Sequence, residues 1–383
     1  MIVWVHRWLG LVLGAWVLCA AATGFVLIFR DQINFLLHAD RYATTPGDLG
    51  PQAALDAAHA AHPGWSDCGL SMPAMAGGVY SVCMEEPDHV EDHRVLVDPG
   101  TATVTGSISN REGVLSTVYR LHSGLLVDDV FGVGGSTIVG WLGVAWLVLL
   151  LSGSAAGLTQ RVRRWWHLVR VRRVRRAQAS FRFAGDLHRM LGLALIIPLA
   201  LIVLTGIGIA FRTPPGKERV YEPPKGAAVK SAKTGAEPLG ADKIARLLER
   251  RYPDDTLAYL DVPPPERPRA PVIAYLSTGY DPGRAHYGHV GNMMVLLDRY
   301  TGRELWVGDP SELSAWTRLS DLWTFPIHAG SFGRTPTRVL WMVIAVGACL
   351  SVATGCAMRI LRHRPPRKQR RPTDPSRGSP RAA

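Results

Sequence analysis

Two histidines, one in each half of the chain, open apolar segments that share one pattern. HRWLGLVLGAWVLCAAATGFVLIFR begins at His6, and HRMLGLALIIPLALIVLTGIGIAFR begins at His188. Both segments also have an Arg, a Gly, a Thr-Gly pair and a Phe-Arg pair at equal offsets. Unrelated apolar segments would not share these polar and glycine positions, so the alignment indicates an internal repeat. A neutral imidazole is costly in a membrane but is the commonest metal ligand, so the pair predicts a metal site.

A second pair of histidines precedes the next apolar segment of each half. RLHSG contains His122 and PIHAG contains His328, and tryptophan-led stretches follow, WLGVAWLVLLLSG and WMVIAVGACLSVATG. His122 stands farther from the start of its span than His328 does, so the spacing of this pair agrees less well. The repeat predicts that these two imidazoles face each other just outside the membrane, at the end opposite to His6 and His188.

Two imidazoles that face each other across a two-fold axis form the axial ligand set of a bis-histidine b-type haem. Two such pairs predict two b-type haems stacked on the axis, one in each leaflet. Zinc is the main competing metal. Two histidines leave zinc short of ligands, and no carboxylate or cysteine stands at a useful spacing beside either pair.

Glycines near the first histidine pair fit a large planar ligand. Gly10 and Gly192 lie one helical turn beyond His6 and His188, and the Thr-Gly glycines return to the same face after five turns. Small residues on that face would leave room for a porphyrin edge. The same glycines would also allow two helices to pack closely.

Four apolar spans must carry these residues. Each holds about 20 residues with almost no charge, which is long enough to cross a bilayer core of roughly 30 Å. We predict spans within 1–30, 137–158, 185–212 and 337–361. The predicted fold class is a membrane protein with a four-helix transmembrane bundle, built from two parallel repeats related by a two-fold axis along the membrane normal.

The charge distribution predicts the orientation of the spans. The formal net charge is +12, and Arg161–Arg182 contains nine arginines and no acid. From Arg359 onward there are nine basic residues and one acid. Both runs adjoin apolar spans, so we assign them to the positive-inside rule and not to nucleic acid binding. The termini, the loop 159–184 and the disordered tail 362–383 are then cytoplasmic. A cleaved signal peptide is the alternative for the first span, but its likeness to an internal span argues against cleavage.

The two long connections, 31–136 and 213–336, are then extracytoplasmic. In each, a short amphipathic helix precedes strand-like runs that end in a hairpin, HRVLVDPGTATVTG in the first and MMVLLDRYTGREL in the second. This pattern predicts one small α+β module in each half. Cys68 and Cys83 lie on strand-like runs of the first module, where a disulfide and two free thiols both fit the sequence.

Together these features resemble the PepSY-associated transmembrane family. The HRWLGL and HRMLGL spans, the LH and IHAG motifs, the TG near the span ends and the helix-plus-strand modules carry the resemblance, which extends to about residue 362. The layout is most similar to FoxB-type inner-membrane ferric-siderophore reductases. That resemblance implies two periplasmic PepSY-like modules and a bacterial inner-membrane di-haem oxidoreductase. By motif match, its haem ligands would be His6, His122, His188 and His328.

A reductase of this kind needs a path for electrons and a surface where the ferric siderophore approaches the outer haem. The candidate substrate residues are Arg120, Arg284, Tyr287 and Trp323. No covalent catalytic residue is expected, because one electron weakens the hold of hard oxygen donors on iron. We find no dinucleotide fingerprint in a strand–turn–helix context. The electron donor would therefore be a membrane quinol or a separate cytoplasmic reductase.

Other functions fit the same residues. A di-haem protein could pass its electrons to a thiol, a flavin or a copper centre. A haem-free alternative is a membrane-anchored PepSY protein that binds or regulates periplasmic proteins. A transporter is disfavoured, because the centres of the spans hold few polar residues.

Overall fold

The structure is a computed structural model that describes residues 1–73, 78–87, 92–109, 113–127, 133–159, 176–211, 223, 229–232, 235–279 and 291–362. Most of the basic loop and the tail beyond Arg362 lie outside these ranges. The described residues form a bundle of long apolar helices and a separate antiparallel sheet.

Ten α-helices are described, together with short 3-10 and π-helical segments. The α-helices are α1 (Ile2–Leu27), α2 (Arg30–Leu37), α3 (Pro51–Ala61), α4 (Val114–Gly124), α5 (Gly135–Thr159), α6 (Arg176–Phe211), α7 (Ala241–Arg251), α8 (Ala315–Thr317), α9 (Thr324–Ala329) and α10 (Arg334–Arg362). A π-helical segment, Arg318–Trp323, connects α8 to α9.

Four of these helices, α1, α5, α6 and α10, are long and apolar enough to cross a membrane. Helix α6 begins at Arg176, nine residues before the predicted span. Its first turns are rich in Arg, Ala and Gln, which are good helix formers, so the helix extends beyond its apolar stretch. Helix α1 ends at Leu27 and a separate amphipathic helix, α2, starts at Arg30, a break that hydropathy does not reveal.

Within the bundle, α1 packs against α5 and α10, and α6 packs against the same two helices. Helices α1 and α6, which carry His6 and His188, therefore occupy opposite corners. Side chains from all four helices fill the core between them. Its buried residues are Leu13, Val17, Ala21, Trp146, Leu199, Val203, Trp341, Ile344 and Ala348.

The eight strands outside the bundle form one antiparallel sheet in the order β4-β3-β2-β1-β5-β6-β7-β8. They are β1 (Ser66–Ser71), β2 (Tyr80–Glu85), β3 (Asp92–Val97), β4 (Val104–Ser109), β5 (Thr256–Asp261), β6 (Val272–Ser277), β7 (Met293–Leu297) and β8 (Glu304–Gly308). Each half contributes one helix, α3 or α7, followed by four strands. The two helices contribute to one hydrophobic core with the strands.

The two predicted modules form a continuous sheet and not two separate units. Strands β1 and β5 pair at the centre, with Leu70 opposite Leu260 and Ser71 opposite Tyr259. Pairing removes two strand edges that separate modules would expose. The sequence showed where each strand lies but not that these two edges meet.

The N-terminus of each of the helices α3 and α7 is capped by a side chain from the other helix. The Gln52 backbone N–H of α3 donates to Asp242 Oδ1, and the Ala241 backbone N–H of α7 donates to Gln52 Oε1, each at 2.9 Å. The first N–H groups of a helix have no partner within the helix, so a side-chain acceptor stabilises each helix start. Because each acceptor belongs to the other helix, the two halves stabilise each other.

Two aspartates tie the hairpin turns of the sheet to the segments that arrive from the bundle. Asp98 accepts hydrogen bonds from Thr45 N and Oγ1, and Asp298 accepts one from Ala232 N. Burial alone would raise the pKa of Asp98, but hydrogen bonds from Thr45 and from neighbouring turn residues lower it to about 2. These turns therefore hold the sheet to both halves of the chain by equivalent contacts.

A disulfide joins Cys68 on β1 to Cys83 on β2. The sequence left this pairing open, and the structure decides it because β1 and β2 are neighbours, with Cys68 at a bulge of β1 next to Gly69, the residue opposite Cys83. The Tyr259 hydroxyl donates to the Cys68 carbonyl from β5. The disulfide therefore lies beside the strand pair that joins the two halves.

We predict that Asp261, the last residue of β5, makes the sheet less stable as the pH rises. Burial, with a smaller contribution from the negative Asp67, raises the pKa of Asp261 from 3.8 to about 6. Between these two values the folded chain holds a proton that the unfolded chain has released. Its contribution to stability is therefore complete below the unfolded pKa and is lost as the pH rises through about 6, at a cost of about 3 kcal/mol.

Thermal unfolding of the purified protein across this pH range measures the effect. Asp261→Asn should flatten the fall in stability, whereas Asp40→Asn, at an exposed position, should leave it unchanged. The same pH dependence in Asp261→Asn and in the wild type would contradict the prediction.

Candidate metal centre

The first histidine pair joins opposite corners of the bundle. His6 lies in the second turn of α1 and His188 lies in α6. Their ring centroids are 6.1 Å apart and the ring planes are inclined by 59°. The side chains of these two histidines, one from each half of the chain, therefore lie next to each other.

The second pair is carried by two short helices that precede α5 and α10. His122 lies in the last turn of α4 and His328 in the last turn of α9. Their ring centroids are also 6.1 Å apart, with an inclination of 51°. Both short helices end in a left-handed residue, Leu125 after α4 and Gly330 after α9, which turns the chain toward the next long helix.

The second pair lies deeper than the sequence suggested. His122 contacts α1 at Thr23, and His328 contacts α6 at Ile202. The contact at Thr23 lies about one turn inside the end of α1, and the contact at Ile202 lies about two and a half turns inside the end of α6. Helices α4 and α9 therefore pack on the sides of the long helices, and the pair lies within the bundle and not beyond its end.

Three of the four imidazoles bind a main-chain carbonyl of a neighbouring helix through Nδ1. The contacts are His6 Nδ1 to Leu149 O at 3.1 Å, His188 Nδ1 to Ser351 O at 2.9 Å and His328 Nδ1 to Ile202 O at 3.0 Å. Nδ1 of the fourth, His122, lies 2.9 Å from Thr23 Oγ1, and the Ala20 backbone also bonds to this histidine. A carbonyl can only accept, and the Thr23 hydroxyl donates to the Cys19 carbonyl, so Nδ1 carries the proton in each case and Nε2 keeps its lone pair. Among the described residues, no hydrogen bond to Nε2 of these histidines is seen. All four side chains are therefore oriented as metal ligands through Nε2.

A glycine stands against each of these rings. The pairs are Gly153 with His6, Gly355 with His188, Gly24 with His122 and Gly206 with His328. A Cβ atom at Gly153 would lie 2.7 Å from Cε1 of His6, and one at Gly206 would lie 2.9 Å from Cε1 of His328. Any larger residue would displace these imidazoles.

The glycines singled out in the sequence have other surroundings. A Cβ atom at Gly10 would lie 3.7 Å from Leu149, and one at Gly192 would meet no atom within 4 Å. Gly24 shares the helical face of His6, as the period predicts, but five turns of helix separate them by about 27 Å. Gly24 therefore contacts His122 of the second pair.

The two imidazoles of each pair suit a metal whose other ligands come from a cofactor and not from the protein. Imidazole nitrogen binds metals at about 2.0 Å, so a metal midway between two Nε2 atoms would separate the ring centroids by about 6 Å. No group of three or more His, Cys, Asp or Glu side chains that could hold a metal occurs in the part of the chain that the structure describes. Two axial imidazoles fit haem, whose porphyrin supplies the remaining four nitrogens.

The PepSY-associated TM region, as a family, matches residues 3–362. The chain belongs to this family. The match includes all four long helices, the sheet and the four histidines. No curated protein matches the chain.

Two of the four candidate substrate residues lie on the elements that carry the second histidine pair. Arg120 is half-buried on α4, two residues before His122. Trp323 ends the π-helical segment and is the N-cap residue of α9, which carries His328. Arg284 and Tyr287 fall outside the described residues.

We expect Gly153→Ala and Gly206→Ala to lower the free energy of unfolding by about 1–3 kcal/mol, because the added methyl overlaps an imidazole. Gly157→Ala and Gly208→Ala are matched controls on the same helices. Their added Cβ atoms would lie 4.0 Å from Leu193 and 3.7 Å from Thr324, which is ordinary contact. Thermal unfolding in detergent compares the pairs, and equal losses in variant and control would refute the steric argument.

Proposed function

We propose that this PepSY-associated TM protein is a di-haem oxidoreductase of the bacterial inner membrane, with both termini cytoplasmic. It carries electrons across the membrane to a ferric siderophore on the periplasmic side and releases Fe(II). The observation that carries the proposal is the presence of two facing imidazole pairs at two levels of one bundle.

The separation of the ring centroids fits a metal shared by the two imidazoles, but it fits simple ring contact as well. Aromatic side chains in simple contact have centroids 4.5–7 Å apart, a range that includes 6.1 Å. On all four rings Nδ1 is the hydrogen-bond donor, which leaves Nε2 with a free lone pair for a metal. Four half-buried imidazoles with that orientation favour ligation over ring contact.

The spacing along the helices supports two centres in place of one. His6 and Ala20, which holds His122, lie on α1 at the same separation as His188 and Ile202 on α6. At a rise of about 1.5 Å per residue, this separation is about 21 Å. It is more than half, and less than the whole, of a bilayer core roughly 30 Å thick, so two centres within the core would lie in opposite leaflets. The open space at Gly192 would admit a porphyrin edge beside the inner pair.

A haem held by His6 and His188, or by His122 and His328, would supply reversible one-electron transfer, and two histidine ligands would leave it no site for oxygen. The protein's own contribution is to hold the four imidazoles and to keep the core between them dry. Large side chains fill that core, among them Trp146, Leu199 and Trp341.

The ferric siderophore is the substrate. Its Fe(III) is a hard ion bound by oxygen donors, and one electron converts it to Fe(II), which those donors hold more weakly. No bond within the chelator forms or breaks. A quinol or a cytoplasmic reductase would supply the electron at the inner pair. Arg120 and Trp323, on the elements that carry the outer pair, are the described residues proposed to contact the substrate, and Arg284 and Tyr287 complete the proposed set.

The disulfide supports the proposed orientation. Disulfides persist in oxidising compartments such as the bacterial periplasm, and Cys68–Cys83 lies in the sheet. The sheet would then be periplasmic, and the basic segments beside the long helices would be cytoplasmic.

Purified protein is expected to contain two b-type haems, measured as the pyridine haemochrome. His6→Ala should remove one haem and His328→Ala the other, because each variant leaves one pair intact. His59→Ala is the control, since His59 lies in the sheet region and pairs with Asp67. Haem-free wild-type protein, or haem content unaffected by both pair variants, would overturn the proposal.

Dithionite-reduced protein is expected to reoxidise when mixed with a ferric hydroxamate in a stopped-flow instrument, with Fe(II) trapped by a coloured chelator. The His328→Ala variant should reoxidise at least about tenfold more slowly, because its outer centre is incomplete. Haem bands that stay reduced with excess chelate would exclude this substrate. Reoxidation by a thiol, flavin or copper acceptor instead would identify a different electron-transfer protein.

A further inference from the structure

A hydroxyl residue followed by glycine recurs in all four long helices, as Thr-Gly in three and Ser-Gly in one, and each glycine faces a histidine. The sequences AAATG, LLLSG, IVLTG and SVATG end at Gly24, Gly153, Gly206 and Gly355. In three of them the carbonyl of the first residue binds Nδ1 of a histidine, and in AAATG the Ala20 backbone bonds to His122. In each, a hydroxyl residue follows three positions later and the glycine faces the ring. Because residues three and four apart share a helix face, carbonyl, hydroxyl and glycine form one socket for an imidazole.

The hydroxyl in these sockets can only accept from the imidazole. Thr23 Oγ1 donates to the Cys19 carbonyl at 2.7 Å, Thr205 to Leu201 at 2.8 Å and Thr354 to Leu350 at 2.7 Å. The hydroxyl proton is thus directed to the helix backbone, and the oxygen presents its lone pairs to the ring.

Three of the four hydroxyls reach the imidazole. Thr23 Oγ1 lies 2.9 Å from His122 Nδ1, Thr354 Oγ1 lies 3.3 Å from His188 Nδ1, and Thr205 Oγ1 lies 3.4 Å from His328 Nδ1. Ser152, the fourth, donates to the Leu149 carbonyl at 3.0 Å. No contact between Ser152 and His6 is seen among the described residues. The outer pair therefore has a hydroxyl at both rings, and the inner pair has one at His188 alone.

We propose that Thr23, Thr205 and Thr354 are positioning residues that set the redox potentials of the two centres. This inference rests on the proposed di-haem function. A second acceptor on Nδ1–H makes the imidazole a stronger electron donor through Nε2, which favours the ferric state of a bound haem iron. The outer centre, with two such hydroxyls, is thereby made the more strongly reducing one.

A lower redox potential at the outer centre suits a ferric siderophore as the substrate. Fe(III) bound by hard oxygen donors is strongly stabilised over Fe(II), so its reduction requires a centre of low potential. Hydroxyls at both outer rings would lower the potential of the centre that meets the substrate. The hydroxyls would change the redox potential through hydrogen bonds to the histidine ligands, and the ligands themselves stay the same.

A spectroelectrochemical titration of the haem-loaded protein tests the inference. In Thr23→Val, which keeps the shape and removes the acceptor, one of the two midpoints should move to a more positive potential. The equilibrium constant for reduction should rise about threefold to tenfold, with 59 mV for each tenfold change. Thr354→Val should move the other midpoint in the same direction. Thr23→Ser, which keeps the hydroxyl, should restore the wild-type value.

Ser152→Ala is the matched control, because its hydroxyl belongs to a socket but does not reach the ring. It should leave both midpoints unchanged. Unshifted midpoints in Thr23→Val with full haem content, or an equal shift in Ser152→Ala, would overturn this inference and leave the di-haem function standing. Wild-type protein that carries no haem would instead overturn the di-haem function, and this inference with it.

Discussion

The arrangement of the bundle depends on one contact, the hydrogen bond from an imidazole Nδ1–H to the main chain of a neighbouring helix. A helix carbonyl has a second lone pair after it has bonded within its own helix. A side chain at the residue four positions later would cover that lone pair, and glycine leaves it open. The contact gives the Nδ1–H group a hydrogen-bond acceptor, so it reduces the cost of placing histidine among apolar side chains.

Each half of the chain positions its own histidines, but neither half completes a pair. His6 is held by α5 and His122 by α1, all in the first half, and the second half repeats this with α10 and α6. Only the association of α1 with α6 across the bundle, and of α4 with α9, brings partner rings together. The site is therefore a property of the assembled halves.

The sheet offers a physical reason for that assembly to be reproducible. Strands β1 and β5 join the halves at the centre of the sheet, and the exchanged caps of Gln52 and Asp242 join α3 to α7. Asp98 and Asp298 connect the sheet to the segments that arrive from the bundle. These contacts join the two halves at a second place, outside the bundle that carries the rings.

Much of this organisation could be predicted from local sequence. Hydropathy and charge located four spans, alternation located the strands, and the internal alignment matched His6 with His188 and His122 with His328. These features depend on residues close in sequence or on a repeat that can be read directly. The start of α6 was not predicted, because hydropathy marks only the apolar part of that helix. The deeper position of the outer pair and the merging of two modules into one sheet were not predicted either, because neither leaves a local pattern.

The sequence alone determined which side chains could meet, and the tertiary structure decided what holds them. Gly24 illustrates the difference, because its helical face follows from the period of 3.6 residues while its partner, His122, comes from a different helix far along the chain. The contact of His6 with the Leu149 carbonyl spans 143 positions. Such contacts depend on how helices pack against one another, and that packing is a property of the whole bundle and not of any one segment.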